Sequence, residues 1–246
     1  MTKAMSVEET NKVLNTLPIA GWKYPRVLLG VLLERSISYA DQVFHQFMQI
    51  AAQGVPFIRL PYSRTDVARN KMATTLLNSD YTHLLMLDID HAHPINIVQQ
   101  LSRWVMTNPE RLVVGGLNFK RSFPHDACCF MLKDGGVYSP AEWDKGLIKV
   151  DAIGTGSILI SREAFERIEP PWFFNLYEDA WRDEWPGEDM GFSQKCREAG
   201  IDMWVDTTCT SPHITDRAID EKDFRAALKV RDNVEIIDMK ALQVGE

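Results

Sequence analysis

Asp88 and Asp90 close the stretch THLLMLDID (82–90), in which five mostly apolar residues run into acid. Side chains of an extended segment alternate with a period of two, so a D-x-D pair sets both carboxylates on one side. Such a pair can share one hard divalent cation, and Mg²⁺ or Mn²⁺ held in this way keeps open positions for substrate phosphates. The next residues are HAHP, which puts His91 and His93 beside the pair, either as further ligands or as solvated turn residues. The competing structural explanation is that Asp and His merely cap a helix starting at Pro94.

Other chemistry-bearing residues come from separate segments. PYSRTDVARN (61–70) supplies Arg64, Arg69 and Asn70, and Arg35 follows the apolar run RVLLGVLLE (26–34). WPGEDMGF (185–192) puts Glu188 and Asp189 in the first turn of a helix, where carboxylates complement the positive end of the macrodipole. Adjacent helical residues point about 100° apart, so one can face a crevice while the other braces the helix. The crevice-facing one is a candidate general base towards a hydroxyl. TTCTSPHI delivers His213, which either completes a metal shell begun by Asp90 or packs as an ordinary histidine.

The elements that must position these residues follow from periodicity. SVEETNKVLNTL (6–17) opens with the S-x-x-E spacing of a capping box, predicting a short N-terminal helix. From residue 26 apolar runs suited to strands buried on both faces alternate with helical spacing, through strands at 26–34, 55–60, 83–88 and 111–117. That alternation predicts right-handed crossovers and a parallel sheet. In an open parallel sheet ligands bind beyond the carboxyl ends of the strands, where Arg35, the 61–70 loop and the D-x-D all arrive. After residue 118 the pattern becomes an antiparallel ribbon around Gly135–Gly136. Two strands interrupted at Gly154 and Gly156 follow, then a helix ending at Gly200 and the strand DMWVD (202–206). The tail 215–246 reads as a peripheral helix and strand.

Composition narrows the function. The chain has 246 residues, 45% of them hydrophobic and 25% charged, enough for one sizeable core. A net charge of −7 without long runs of one sign disfavours duplex nucleic acid as a partner. Cys128, Cys129, Cys196 and Cys209 form no CxxC and no regular framework, so they are expected as reduced thiols. No basic-then-apolar leader and no transmembrane run of roughly 18 apolar residues occurs, which predicts a soluble, cytoplasmic protein.

Taken in order, SRTDVARNKMATTLLNSDYTHLLMLDID, AIGTGSILISREAFERI, PGEDMGFSQKCREAGIDMWVD and SPHI resemble nucleotide-sugar glycosyltransferases of the A-type fold. The resemblance is to the small family-2-like enzymes of bacteria and their phages, over about residues 26–214. It implies an α/β fold in a single domain, 1–246: a mostly parallel sheet flanked by helices, with a smaller antiparallel ribbon in the second half. Residues 26–117 would form the nucleotide-binding half and 118–214 the sugar and acceptor half.

The resemblance also implies roles. Asp90 binds the metal, Mn²⁺ or Mg²⁺, that bridges the donor diphosphate; Asp88 contacts the donor ribose or the metal; His213 is a further metal ligand. Arg69 and Arg64, with Asn70 and Arg35 at the same edge, bind the donor, and the turn from Gly154 through Gly156 to Ser157 floors the sugar. Asp189, with Glu188 as the competing choice, is the base in an inverting reaction; a retaining outcome stays open. Trp185, Trp172 and Phe173 either stack on a sugar or fill the core. UDP as the donor nucleotide rests on the resemblance alone. The acceptor is open among a glycan, a lipid-linked sugar, a protein, a metabolite and a modified nucleobase.

Three other readings compete. A phosphatase of the haloacid dehalogenase type also uses D-x-D at a strand end with Mg²⁺. Its motif normally lies on the first strand, with Thr or Val where this chain has Ala92. A sugar-nucleotide-forming nucleotidyltransferase typically needs a glycine-rich loop after its first strand, which ERSISYA lacks. A module that binds nucleotide sugars without turnover is the third.

Overall fold

The apolar run ahead of the acidic pair is a strand covered on both faces. Leu84 and Met86 join a core with Met72, Leu76, Ile158 and Ile160. Leu85 and Leu87 join the opposite one with Leu29, Val31, Ile97 and Leu101. The period-two alternation thus divides one continuous apolar segment between two layers of helices.

The structure is a computed structural model that describes residues 4–16, 18–32, 40–60, 63–133, 137–176, 187–214 and 218–231. In chain order the first half contains α1 (Val7–Thr16), β1 (Val27–Leu32), α2 (Ala40–Ala51), β2 (Phe57–Leu60), α3 (Thr65–Leu77), β3 (His83–Asp88), α4 (Ile97–Thr107) and β4 (Val113–Asn118). There follow β5 (Cys129–Lys133), β6 (Val137–Pro140), β7 (Leu147–Val150), β8 (Ala152–Ile153), β9 (Ser157–Ser161) and α5 (Arg162–Arg167). The remainder is α6 (Glu188–Glu198), β10 (Met203–Ser211), β11 (His213–Ile214), β12 (Ala218–Ile219) and α7 (Glu221–Arg231).

Seven strands make one sheet in the order β2-β1-β3-β9-β4-β10-β7. β1 is parallel to β2 and β3, and β10 is parallel to β4. β9 runs antiparallel to both β3 and β4, and β7 antiparallel to β10. β1, β2, β3, β4 and β10 therefore share one direction. β5 pairs with β6 and β8 in a smaller antiparallel sheet. This is the expected α/β architecture: a mostly parallel sheet flanked by helices, with an antiparallel ribbon in the second half.

The direction of β9 is not written in its residues. Ser157–Ser161 is buried throughout, as a central parallel strand would be. Running antiparallel, it begins at the carboxyl end of β3, with Ser157 opposite Leu87 and the Asp88 N–H donating to the Gly156 carbonyl at 2.9 Å. That reversal brings the glycine turn to the acidic strand end.

At the N-terminus the capping box is closed: Glu9 N–H donates to Ser6 Oγ, and Ser6 N–H donates to Glu9 Oε2 at 2.9 Å. In β10, Asp206 is fully buried, accepting from Arg103 Nη2 at 2.7 Å and Trp104 Nε1 at 2.9 Å. All four cysteines are free thiols. Among the described residues no helix is long and apolar enough to cross a membrane. The strand expected in the tail lies outside the described residues.

His83, at the start of β3, is 1% exposed, and burial lowers its pKa from 6.5 to about 3. A depressed folded-state value means that the neutral ring's stability is intact above 6.5 and is lost as pH falls towards 3. The urea midpoint is expected to drop across that window, and to drop less in His83→Asn; equal acid sensitivity in both proteins would contradict it.

Candidate functional site

Beyond the carboxyl end of β3 lies a cavity of about 520 Å³, lined among others by Arg69, Asp88, His91, Arg121, Asp189 and His213. Gly154, Gly156 and Glu188 also reach it. A larger cavity, about 850 Å³, opens at the other end of the sheet around His83 and Arg111, and none of the candidate catalytic, donor-binding or metal residues lines it.

Asp90 and His213 meet because the backbone clamps their segments together. The Ile214 N–H donates to the Asp90 carbonyl at 2.7 Å, and the Ala92 N–H to the Pro212 carbonyl at 2.8 Å. Asp90 Oδ2 then lies 3.1 Å from His213 Nε2, and Asp90 Oδ1 lies 3.0 Å from His91 Nδ1. His91 stacks on His213 with ring centroids 4.3 Å apart. Asp90, His91 and His213 thus offer three ligand atoms within 4.8 Å of one another.

A hydrogen bond behind the ring sets the His213 tautomer. His213 Nδ1–H donates to the Phe119 carbonyl at 2.9 Å, which leaves the Nε2 lone pair facing Asp90. A histidine oriented by a carbonyl beside an ionised carboxylate is a donor set that fits a divalent cation. Burial would raise the Asp90 pKa, but the His213 and His91 rings against it hold it well below the usual carboxylate range. His93 is not part of this set. Its Nε2 bonds the Asp88 carbonyl at 2.8 Å and its Nδ1 bonds Ser211 Oγ at 3.0 Å, so the ring braces the turn.

Asp88 points elsewhere. Arg69 Nη2 contacts both its oxygens, at 2.9 and 3.1 Å, while Arg69 Nε donates to Glu188 Oε1 at 3.0 Å. Arg69 is 2% exposed and ties β3 to the start of α6. Burial opposes its charge, but the two carboxylates win and raise its pKa. Desolvation raises Asp88, against the pull of Arg69. Removing one partner of a buried ion pair costs about 3–5 kcal/mol, because the other charge is stranded. Arg69→Met is therefore expected to lose about that much stability at pH 7. It should recover part of the loss at lower pH, as the abandoned carboxylates protonate; urea titrations at both pH values test it.

Glu188 and Asp189 divide as adjacent helical residues should. Glu188 is held by Arg69. Asp189 accepts from the Met190 N–H at 2.8 Å, and burial first, then the Glu188 charge, pushes its pKa up to about 6. Gly154 and Gly156 allow close approach: a Cβ on Gly154 would stand 2.5 Å from Cys128 Cβ, and one on Gly156 3.0 Å from the His91 ring. The Cys128 thiol is pushed up by burial and stays protonated.

Other residues singled out by the sequence lie off the cavity. Arg64 precedes α3 with an exposed side chain paired to Asp66 at 2.8 Å. Asn70 bridges α3 to the 172–173 segment, donating to the Phe173 carbonyl at 2.7 Å and accepting from the Trp172 N–H at 2.9 Å. Trp172 and Phe173 are core residues. Arg35 and Trp185 lie outside the described residues. The reading of residue types undervalued His91 and missed Arg121, whose Nη2 hydrogen-bonds Asp90 Oδ2. The adjacency of His91 to the D-x-D was the one available signal for the first.

No family model and no curated protein matches the chain. Among solved structures, A197 from STIV matches with a TM-score of 0.60 at 19% identity, over 80% of this chain and 91% of that one. GalNAc-T7 with UDP, GalNAc and Mn²⁺ matches with a TM-score of 0.49 at 13% identity, over 78% of this chain and 38% of that one. The inositol-1-phosphate CTP transferase from T. maritima has a TM-score of 0.45 at 9% identity, over 85% and 98%. The likeness to A197 shows a shared fold.

Proposed function

We propose that this chain is a metal-dependent glycosyltransferase that moves a sugar from a nucleoside diphosphate donor, UDP for preference, to an acceptor hydroxyl. The observation that carries the reading is one cavity lined both by His213, a member of the Asp90–His91–His213 cluster, and by Asp189, a carboxylate with no ion pair among the described residues. An imidazole among the ligands favours Mn²⁺ over Mg²⁺, which prefers oxygen. A divalent cation held there supplies positive charge against the negative charge that develops on the departing diphosphate.

The chain's own residues do the rest. Asp189 takes the acceptor proton, its pKa of about 6 leaving it ionised yet basic near neutrality. Arg69 engages Glu188 and Asp88, so Asp189 stands as the proton acceptor. The 154–157 turn gives the sugar a backbone floor without side-chain bulk. The same geometry speaks against a phosphatase, since both oxygens of Asp88 are engaged by Arg69 and neither is a free nucleophile.

Slow donor breakdown needs no acceptor, so a panel of nucleoside diphosphate sugars with Mn²⁺ tests the reading. We expect nucleoside diphosphate release from at least one donor, abolished by EDTA. No release and no binding across the panel would end the proposal.

A further inference from the structure

Arg121 sits on the atoms that would hold the cation. Its Nη2 hydrogen-bonds Asp90 Oδ2 and lies 3.0 Å from His213 Nε2. A guanidinium only donates, and the Phe119 carbonyl already takes the Nδ1 proton of His213. The lone pairs of Asp90 Oδ2 and His213 Nε2 therefore converge on one positive nitrogen. A metal ion binds such lone pairs at about 2.0–2.2 Å, leaving no place for an N–H on them. The two cations exclude each other.

Arg121 is also loosely moored. Among the described residues its Nε has no hydrogen-bond partner although buried, and the side chain is 36% exposed. It lines the cavity beside Lys120, so a displaced guanidinium stays within the space the donor would enter.

We infer that Arg121 is an exchangeable plug, competing with the divalent cation for the Asp90–His213 seat and turning to the donor diphosphate once displaced. The inference rests on the metal reading above and adds a regulatory consequence. The apparent affinity for metal alone is reduced by the fraction of molecules in which the seat is closed. An anionic donor that draws Arg121 away raises it. Metal and nucleotide then bind cooperatively beyond their own chelation.

The test is Mn²⁺ alone, titrated into the full chain with free Mn²⁺ followed by its paramagnetic resonance signal. Arg121→Ala is expected to bind about 5- to 150-fold more tightly than the natural chain, the range of ordinary coupling between sites. Arg121→Gln, which keeps bulk without charge, should show the same gain, and Arg121→Lys should stay near the natural chain. Asp90→Ala and the double variant Asp90→Ala, Arg121→Ala should not bind. If the natural chain binds through Asp90 but neither neutral variant binds more tightly, the plug is refuted and the metal reading stands. If only the neutral variants bind, the plug stands in its strongest form, and Mn²⁺ titrated with UDP present should then bind the natural chain. Absence of binding in all proteins, or a double variant that binds like Arg121→Ala, overturns the inference.

Discussion

Asp189→Asn is expected to lower sugar transfer by about 10²–10⁴-fold, the usual contribution of a positioned base, while donor binding persists. The amide keeps the size of the carboxylate and an oxygen for the Met190 N–H, so only the proton acceptor is removed. In the natural chain kcat/KM should rise through about pH 6 as Asp189 ionises, and this limb should vanish in the variant.

The same substitution carries a stability signature of known sign. The folded-state pKa is raised from 3.8 to about 6, so the folded chain prefers the protonated acid. That preference is fully present below 3.8 and is lost as pH rises through 6. Asp189→Asn should therefore be the more stable protein at pH 7.5 in urea, with the difference shrinking towards pH 4. A variant less active and more stable identifies strain retained for chemistry. A variant with full transfer activity would remove Asp189 from the mechanism.

The parts of this arrangement legible in the sequence are those encoded locally. β3 is legible because a run buried on both faces is mostly apolar, and the Ser6–Glu9 cap because its partners are three residues apart. Asp90 and His213 are recognisable as residue types. Their meeting is not, since the hydrogen bonds that clamp 90–92 to 212–214 join segments more than a hundred residues apart. The same holds for the antiparallel sense of β9, because full burial erases the alternation from which a strand's environment is read. Arg69 and Arg64 look alike in the 61–70 loop, but one is drawn inward by Asp88 and Glu188 and the other pairs at the surface with Asp66. A cation's task is decided by the carboxylates that tertiary structure sets against it.

That division makes the two aspartates of the D-x-D separable by experiment. Asp90 is expected to carry the metal: Asp90→Ala should abolish any Mn²⁺-dependent rise in melting temperature with a nucleoside diphosphate, since a ligand stabilises only through its affinity for the folded state. Turnover should fall by about 10³-fold, corresponding to several kcal/mol of lost charge stabilisation at the leaving group. Without ligands the variant should lose less stability than Asp88→Ala, because the Asp90–Arg121 ion pair is part-exposed and the backbone bonds to Ile214 and Pro212 survive the change. Asp88→Ala should lose more, leaving the buried Arg69 with Glu188 alone and lowering the ligand-free melting temperature before any metal is added. Identical behaviour of the two variants, in melting and in metal response, would mean that the pair acts as one unit and that the assignment of the cation to Asp90 is wrong.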